Sequence, residues 1–218
     1  PVNKPPILQS YSKETPVLAT DLTVICSEDV LGGAREIFLR DGFEGASVDD
    51  IARAAGVSKA TLYSYFSDKR ELFREVTRVE CERMAETTLA RIDFNAPPRE
   101  VFTTAAHSLT RFLLSNFSLQ MFRTCVAEAA RFPELGQAFY QNGPEMGRAR
   151  MVVYLKLAIE RGQLHDVDPD MIAEQFSELC RARLWSRAIF GVQTSFSEAE
   201  INEVANHAVE TVLARFAV

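Results

Sequence analysis

Residues 47–69 read SVDDIARAAGVSKATLYSYFSDK, and this stretch decides the fold of the 218-residue chain. Ser47 is a residue type that favours a helix N-cap, and Asp50 stands three positions later as its capping-box partner. Apolar residues then follow at the i, i+3, i+4 and i+7 spacing of one buried helix face: Val48, Ile51, Ala52 and Ala55. Gly56 favours the left-handed conformation that ends a helix. The pattern predicts a short helix and a tight glycine turn.

A second short helix is predicted directly after that turn. Ser58 is its N-cap, and Leu62 and Phe66 stand four positions apart, which places both on one inner face. The other faces carry hydroxyl, phenol and ammonium groups that a core does not require: Lys59, Thr61, Tyr63, Ser64 and Tyr65. A short helix that is held by its inner side and is polar outside suits the major groove of DNA. The stretch is therefore predicted to be a helix-turn-helix.

The same region resembles the N-terminal DNA-binding signature of the TetR family of bacterial transcription regulators. The resemblance covers about residues 30–76 without a break in register. It rests on Ala34, Phe38, Asp41-Gly42-Phe43, Ile51-Ala52, Ala55-Gly56-Val57-Ser58, Thr61-Leu62-Tyr63, Tyr65-Phe66, Lys69 and Leu72-Phe73. It does not extend to the rest of the chain, which in such regulators binds the inducer and varies widely.

The resemblance implies that eight residues of the helix-turn-helix contact DNA. Four match positions that approach base edges: Lys59, Ala60, Thr61 and Ser64. Three match positions that hold phosphates: Tyr63, Tyr65 and Lys69. Ser47 is expected to hold a phosphate as well, from a helix N-terminus. The alternative is a solvated helix face, which explains two exposed tyrosines poorly.

The predicted helix-turn-helix is locally basic although the formal net charge of the chain is −6. Between positions 53 and 70, four basic residues against one acidic residue leave a local charge of +3. Attraction to phosphate depends on that local face, so the acidic remainder does not exclude a nucleic-acid partner. With 47% hydrophobic and 25% charged residues, the composition is that of an ordinary globular protein. No apolar run approaches the ~18 residues of a membrane span, so we expect a cytoplasmic protein.

No metal, cofactor or catalytic site is predicted. The cysteines lack the paired spacing of a zinc site and are expected to be reduced and mostly buried: Cys26, Cys81, Cys125 and Cys180. Residues 165–170, HDVDPD, resemble the start of a calcium loop, but Met171 replaces the required glycine. Helix capping explains this segment better. Because no metalloprotease, hydrolase or phosphate-loop motif is present, the chain is not expected to be an enzyme.

Helical periodicity continues through the chain, and no alternating strand pattern of useful length interrupts it. The sequence therefore predicts an all-α fold, with a three-helix DNA-binding head and a larger helical domain for ligand binding and dimerisation. Residues 1–25 are expected to form a flexible arm, 26–72 the DNA-binding domain and 73–218 the larger domain. A link helix at about 68–91 is expected to join the two domains.

Local signals predict several helix boundaries. Helix starts are predicted at Ser27, Asp168-Pro169 and Ser197, the last with Glu200 as its capping-box partner. The helix that starts at Pro169 is expected to run to about Phe190. Residues 142–144, Asn-Gly-Pro, predict an irregularity inside a helical stretch.

The last two helices are predicted to form a homodimer interface, as the resemblance implies. Nine residues make up the prediction: Leu184, Ile189, Phe190, Ile201, Val204, Ala205, Ala208, Val209 and Val212. Their combined apolar width exceeds one contact face, which favours a four-helix interface between two copies. The alternative is that these helices only pack on each other within one chain.

Large, polarisable side chains of the larger domain are candidates for lining a ligand pocket. They are Phe112, Phe117, Met121, Phe122, Met151, Tyr154, Phe176 and Trp185. Such side chains suit an apolar or aromatic small molecule. Ordinary core packing explains each of them as well, and the pocket is expected mainly from the resemblance.

These observations predict a homodimeric, ligand-responsive transcription regulator. We expect a repressor that binds a palindromic operator in double-stranded DNA and is released by a small, largely apolar molecule. The ligand is expected to displace the link helix, which requires only that it bind the two states with different affinities. Two alternatives stay open. One is a regulator of the same fold that answers to a protein partner or to no ligand, and the other is an all-helical enzyme or binding protein.

Overall fold

A computed structural model describes the backbone of residues 21–218 and the side chains of residues 28–218. Every regular secondary-structure element in this range is a helix, so the predicted all-α fold is confirmed. An antiparallel bridge joins Leu164 to Ala217. Within the described range, no helix is both long and apolar enough to cross a membrane.

Eleven α-helices and one π-helical turn make up the described chain. The helices are α1 (Asp21–Gly45), α2 (Val48–Ala54), α3 (Lys59–Tyr65), α4 (Lys69–Leu89), α5 (Pro98–Leu113), α6 (Asn116–Glu128), α7 (Pro133–Tyr140), α8 (Met146–Glu160), α9 (Pro169–Leu179), α10 (Leu184–Ile189) and α11 (Glu198–Phe216). The π-helical turn, Gln141–Glu145, contains Pro144 and lies where residues 142–144 predicted an irregularity. That prediction is confirmed.

The first helix differs from its prediction at the N-terminal end. It begins at Asp21 and passes through Ser27, because a capping residue type is a local preference and does not stop a helix that can extend further. Its regular path ends at Gly42, which has a φ of 71°. Residues 1–20, and with them most of the predicted flexible arm, lie outside the described residues.

The described chain packs as two compact units that are not consecutive in sequence. One unit comprises residues 21–82 and 120–143, and the other comprises residues 83–119 and 144–218. The helix-turn-helix therefore shares a unit with most of α6 and with α7. The boundary predicted near residue 72 divides the chain by expected function, whereas this division follows packing.

An aromatic cluster holds the helix-turn-helix unit together. The ring of Phe73 lies edge-on to Phe38 and to Phe43, with ring centroids 5.2 and 5.4 Å apart. Ile51 and Leu62 are 0% and 1% exposed and anchor α2 and α3 to this unit. The inner face predicted for the second short helix is confirmed, since Phe66 is buried as well. On the first, Ile51 and Ala52 are buried, while Val48 and Ala55 are only partly buried.

The second unit is built around a separate aromatic core. Phe102 lies between Tyr154 and Phe176, with ring centroids 6.3 and 5.0 Å away, and all three side chains are buried. The long last helix, α11, packs against α5 and α9. Its apolar stripe is wide because two neighbouring helices cover it within the same chain.

The helix predicted from Pro169 to Phe190 is broken, and this prediction is corrected. The structure has α9 and α10 with a kink between them, where Arg183 adopts a φ of 63° and a ψ of −46°. The Leu184 N–H donates to the Ala182 carbonyl at 2.7 Å, which closes a γ-turn around Arg183. Nothing in the residue types at this point marks a break, since no glycine or proline is present there.

Candidate nucleic-acid interface

The first helix of the pair begins at the predicted cap. The Ser47 Oγ accepts a hydrogen bond from the Asp50 N–H at 3.0 Å and donates its own proton to the Asp50 carboxylate at 2.6 Å. This bond, together with one from Arg53, holds the pKa of Asp50 below its ordinary value. The cap is confirmed, and the Ser47 hydroxyl proton is engaged in a hydrogen bond to Asp50.

The turn between the two helices has the predicted glycine geometry. Gly56 adopts a φ of 67°, and its N–H donates to Arg53 while the Val57 N–H donates to Ala52, at 3.2 and 3.0 Å. These two bonds form a Schellman motif, which satisfies carbonyls that the helix end leaves open.

Close packing fixes the position of α2 against α1. A Cβ atom added at Gly33 in α1 would lie 2.6 Å from the backbone nitrogen of Ala55, the C-cap residue of α2. Only a residue without a side chain fits this contact. The close approach at Gly33 was not predicted from the sequence, because a glycine inside a helix does not indicate which distant backbone it contacts.

The second helix of the pair presents the predicted polar face. Ser58 caps it by accepting from the Thr61 N–H at 3.0 Å, and the two hydroxyl oxygens lie 2.7 Å apart. Three of the predicted base-contacting residues are exposed: Lys59, Ala60 and Ser64. The fourth, Thr61, is partly buried. The Tyr63 side chain is 46% exposed, so it does not turn inward, whereas Tyr65 is partly buried.

Two basic residues on this side of the molecule form exposed ion pairs. Lys59 lies 3.1 Å from Asp49, and Arg53 lies 2.6 Å from Asp50. Exposed pairs of this kind are weak, so either cation is free to exchange its carboxylate for a phosphate or a base. Arg53 was counted in the local charge but was not predicted as a contact, although its side chain is 76% exposed.

Backbone carbonyls of the same unit bind the Lys69 ammonium. Its Nζ donates to the carbonyl oxygens of Phe43 and Ala46 at 2.6 and 3.1 Å, with that of Glu44 at 3.4 Å. The ammonium also lies 4.6 Å from the centroid of the Phe43 ring. The structure therefore places the Lys69 charge against the end of α1.

The predicted pocket residues do not form one lining. Tyr154 and Phe176 are buried in the core of the second unit, and Met151 and Trp185 pack on that core; Phe112 and Phe117 belong to the same unit. Met121 and Phe122 lie in the helix-turn-helix unit. Burial raises the pKa of Tyr154 to about 12.

Most of the predicted dimer residues pack inside their own chain. One group belongs to the core of the second unit: Ala205, Ala208, Val209 and Val212. A second group forms a smaller cluster with Leu114 and Phe196: Leu184, Ile201 and Val204. Ile189 is partly buried, and Phe190 is 81% exposed. The apolar width that favoured a dimer is thus largely accounted for by intramolecular packing, and the interface stays a prediction.

A groove of about 270 Å³ runs along α11 in the second unit. It is lined by Leu179, Ala182, Arg183, Glu203, Val204, His207, Ala208 and Thr211. On α10 and directly after it, Phe190 and Val192 are 81% and 76% exposed. These are the apolar surfaces that the last helices leave uncovered.

No cluster of metal-binding side chains is found among the described residues. The Asp168 carboxylate accepts from the Asp170 N–H at 3.0 Å and caps α9, which confirms capping as the role of this segment. Three cysteines are free and buried: Cys81, Cys125 and Cys180. The side chain of Cys26 lies outside the described residues.

Both parts of the chain match known families. Residues 30–76 match the family described as bacterial regulatory proteins, tetR family, and residues 100–218 match the AefR-like transcriptional repressor C-terminal domain. The second match alone covers more than half of the chain.

Individual relatives agree with these matches. The chain is 38% identical over 71 residues to the HTH-type transcriptional repressor AcnR of Corynebacterium efficiens, a segment that covers 33% of this chain and 38% of AcnR. The matched segment thus spans less than half the length of these curated repressors.

Solved structures resemble a larger part of the chain. One is described as a TetR-family transcriptional regulator from Mesorhizobium loti; it is 25% identical, with a TM-score of 0.78 over 92% of this chain and all of that one. The flavonoid-responsive regulator FrrA is 29% identical, with a TM-score of 0.69 over 88% of this chain and 97% of that one. These relatives are described as transcription regulators. The chain belongs to the TetR family of bacterial regulatory proteins.

Proposed function

We propose that this protein is a cytoplasmic transcriptional repressor that binds a palindromic operator as a homodimer and is released by a small, largely apolar molecule. The observation that carries the proposal is the orientation of α3. Leu62 and Phe66 are 1% and 8% exposed and hold the helix from inside, while its outer face carries the ammonium of Lys59 and the hydroxyl of Ser64.

Base reading is assigned to the first turns of α3. Lys59 is suited to donate to a guanine edge, Thr61 to bond or to pack on a thymine methyl, and Ser64 to bond flexibly, with Ala60 leaving room for close approach. Tyr63 and Tyr65 are assigned to phosphates, and Ser47 lies at the N-terminus of α2, where phosphates are favoured.

Selection of bound duplexes from a random pool tests the DNA-binding proposal. We expect a palindrome to be recovered, because two copies of one head read two equivalent half-sites. Lys59→Ala and Thr61→Ala are each expected to weaken binding to that duplex about tenfold, since a good base contact is worth about 1–3 kcal/mol. Lys156→Ala, at an exposed lysine of α8, is the matched control and should bind like the wild type. Failure to select any duplex would refute the proposal.

Two exposed features of the last helices support the homodimer. A twofold interface brings the same surface of both copies together, so a protruding apolar side chain and an open groove are complementary when both occur near one axis. Phe190 supplies the protrusion, and the α11 groove supplies the recess. Phe190→Glu is expected to shift the protein to monomer in sedimentation experiments. Val126→Glu, at an exposed apolar residue of the other unit, should leave the assembly unchanged.

The effector proposal rests on the aromatic core of the second unit and on the relative named as flavonoid-responsive. Tyr154 and Phe176 are 1% and 2% exposed, so a ligand that enters between them has to shift the helices that carry them. Largely apolar compounds, flavonoids among them, are to be added to the protein–duplex complex. Release of the duplex is the expected result. If none of them releases it, control by a protein partner is favoured instead.

A further inference from the structure

Backbone carbonyls surround the Lys69 ammonium, two of them in partly buried hydrogen bonds. An ammonium group has three N–H donors and no acceptor. Three backbone carbonyls surround it at 2.6, 3.1 and 3.4 Å, belonging to Phe43, Ala46 and Glu44. The face of the Phe43 ring lies beside the same charge, at 4.6 Å from Nζ to the centroid.

These carbonyls need a partner because α1 stops there. The last carbonyls of a helix have no intrahelical N–H, and the negative end of the helix dipole favours a cation. Gly42 turns the chain away with its φ of 71°, and Lys69 supplies the missing donors from the first turn of α4. Lys69 thus ties the turn before α2 to the start of α4, on either side of the helix-turn-helix in sequence.

Lys69 differs in this respect from the other cations of the region. The Lys59 and Arg53 side chains are 49% and 76% exposed, and each pairs with a single exposed carboxylate. The bonds from Lys69 to the carbonyls of Phe43 and Ala46 are partly buried. A phosphate that captured the Lys69 ammonium would leave those carbonyls without a donor.

We propose that Lys69 is a positioning residue for operator binding, which fixes α2 and α3 relative to α4 and makes no ion pair with the DNA backbone. The inference rests on the proposed DNA-binding function. It replaces the phosphate contact that the family resemblance implied for this residue.

The two roles differ in their response to a charge-preserving substitution. Lys69→Arg keeps the positive charge, so a phosphate contact would survive in it. The planar guanidinium does not converge on three carbonyls as a compact ammonium does. A positioning role therefore predicts that Lys69→Arg and Lys69→Met both weaken operator binding, by roughly tenfold or more.

The salt dependence of binding separates the roles a second time. Each lost phosphate contact reduces the slope of log K against log salt by about 0.9. We expect Lys69→Met to lower the affinity while leaving this slope at the wild-type value. Full affinity in Lys69→Arg, or a slope reduced by about 0.9 in Lys69→Met, would overturn the proposal. Lys156→Met, in the other unit, controls for the loss of one positive charge.

A measurement on the wild type covers the case in which the variants do not fold. The ammonium protons of Lys69 are expected to be protected from exchange with water in the free protein, and the chemical shift of its Nζ is expected to stay unchanged when the selected duplex is added. A large shift on adding DNA would contradict the proposal. If the wild type binds no duplex, the proposed function fails, whereas protection in the free protein still reports on the cap itself.

Discussion

Phe132 packs edge-on against Phe43, with ring centroids 5.7 Å apart and ring planes at 67°. Ion pairs flank the two rings, Arg131 with Glu44 at 2.8 Å and Arg70 with Glu134 at 3.1 Å. The corner between α6 and α7 is thereby bound to the end of α1 and to the start of α4. This corner is therefore attached to the two elements that flank the helix-turn-helix in sequence.

Removal of the Phe132 ring tests the strength of this attachment. Phe132→Ala is expected to lower the free energy of unfolding by about 1–3 kcal/mol, less than for a fully buried ring because Phe132 is only partly buried. Urea denaturation measures the change. Val126→Ala trims an apolar side chain that is 61% exposed and lies outside the proposed dimer interface, so it should cost less than about 0.5 kcal/mol. Equal stability of the two variants would show that the corner is not attached as described.

Two neighbouring glycines of α1 are expected to respond in opposite directions to the same substitution. Gly33→Ala places a Cβ atom 2.6 Å from the Ala55 nitrogen and should destabilise the protein by about 1–3 kcal/mol, since a backbone has to move. Gly32→Ala meets nothing within 4 Å and should stabilise it by up to about 1 kcal/mol through helix propensity. Thermal unfolding of both variants is the measurement, and an unchanged Gly33→Ala variant would contradict the close approach.

The strained turn at Arg183 predicts a stabilising substitution. A residue with a side chain is strained by about 1–3 kcal/mol at a φ of 63° and a ψ of −46°. Glycine relieves this strain, although its greater conformational entropy in the unfolded chain offsets part of the gain. Arg183→Gly is expected to raise the midpoint of urea unfolding. Because it also removes the exposed pair with Glu203, Glu203→Gln serves as the control and should change little. A lower midpoint for Arg183→Gly would mean that the turn is not strained.

The buried thiols predict a loss of stability in alkaline solution. Burial raises the pKa of Cys81, Cys125 and Cys180 from an ordinary value of 9.0 to about 12. Between these values the unfolded chain releases protons that the folded chain retains, so stability present below about pH 9 falls as pH rises. The slope is at most about 1.4 kcal/mol per pH unit for each thiol. Cys180→Ala should show a shallower decline across this range than the wild type in denaturant titrations, and an identical decline would refute the assignment.

The helix caps at Ser47 and Ser197 were predicted correctly from the sequence, because their signals are local. The bonds from Ser47 to Asp50 and from Ser197 to Glu200 join residues three positions apart, so the residue types alone indicate them. The helix end at Gly56 was predicted for the same reason, because a glycine with positive φ is a local signal. The break at Arg183 was missed because its residue types are ordinary and its cause lies in packing.

By itself, the sequence determined the helical class, the helix-turn-helix with its inward and outward faces, and the family. The helical class and the helix-turn-helix follow from patterns that repeat within a few residues, such as caps and helical periodicity, and the family follows from the resemblance of residues 30–76 to its signature. Tertiary structure alone decided the partner of Lys69, the attachment of Phe132 to Phe43 and the burial of the α11 stripe within its own chain. Each of these joins residues that lie far apart in sequence, and a residue's type does not state which distant carbonyl, ring or helix it will meet.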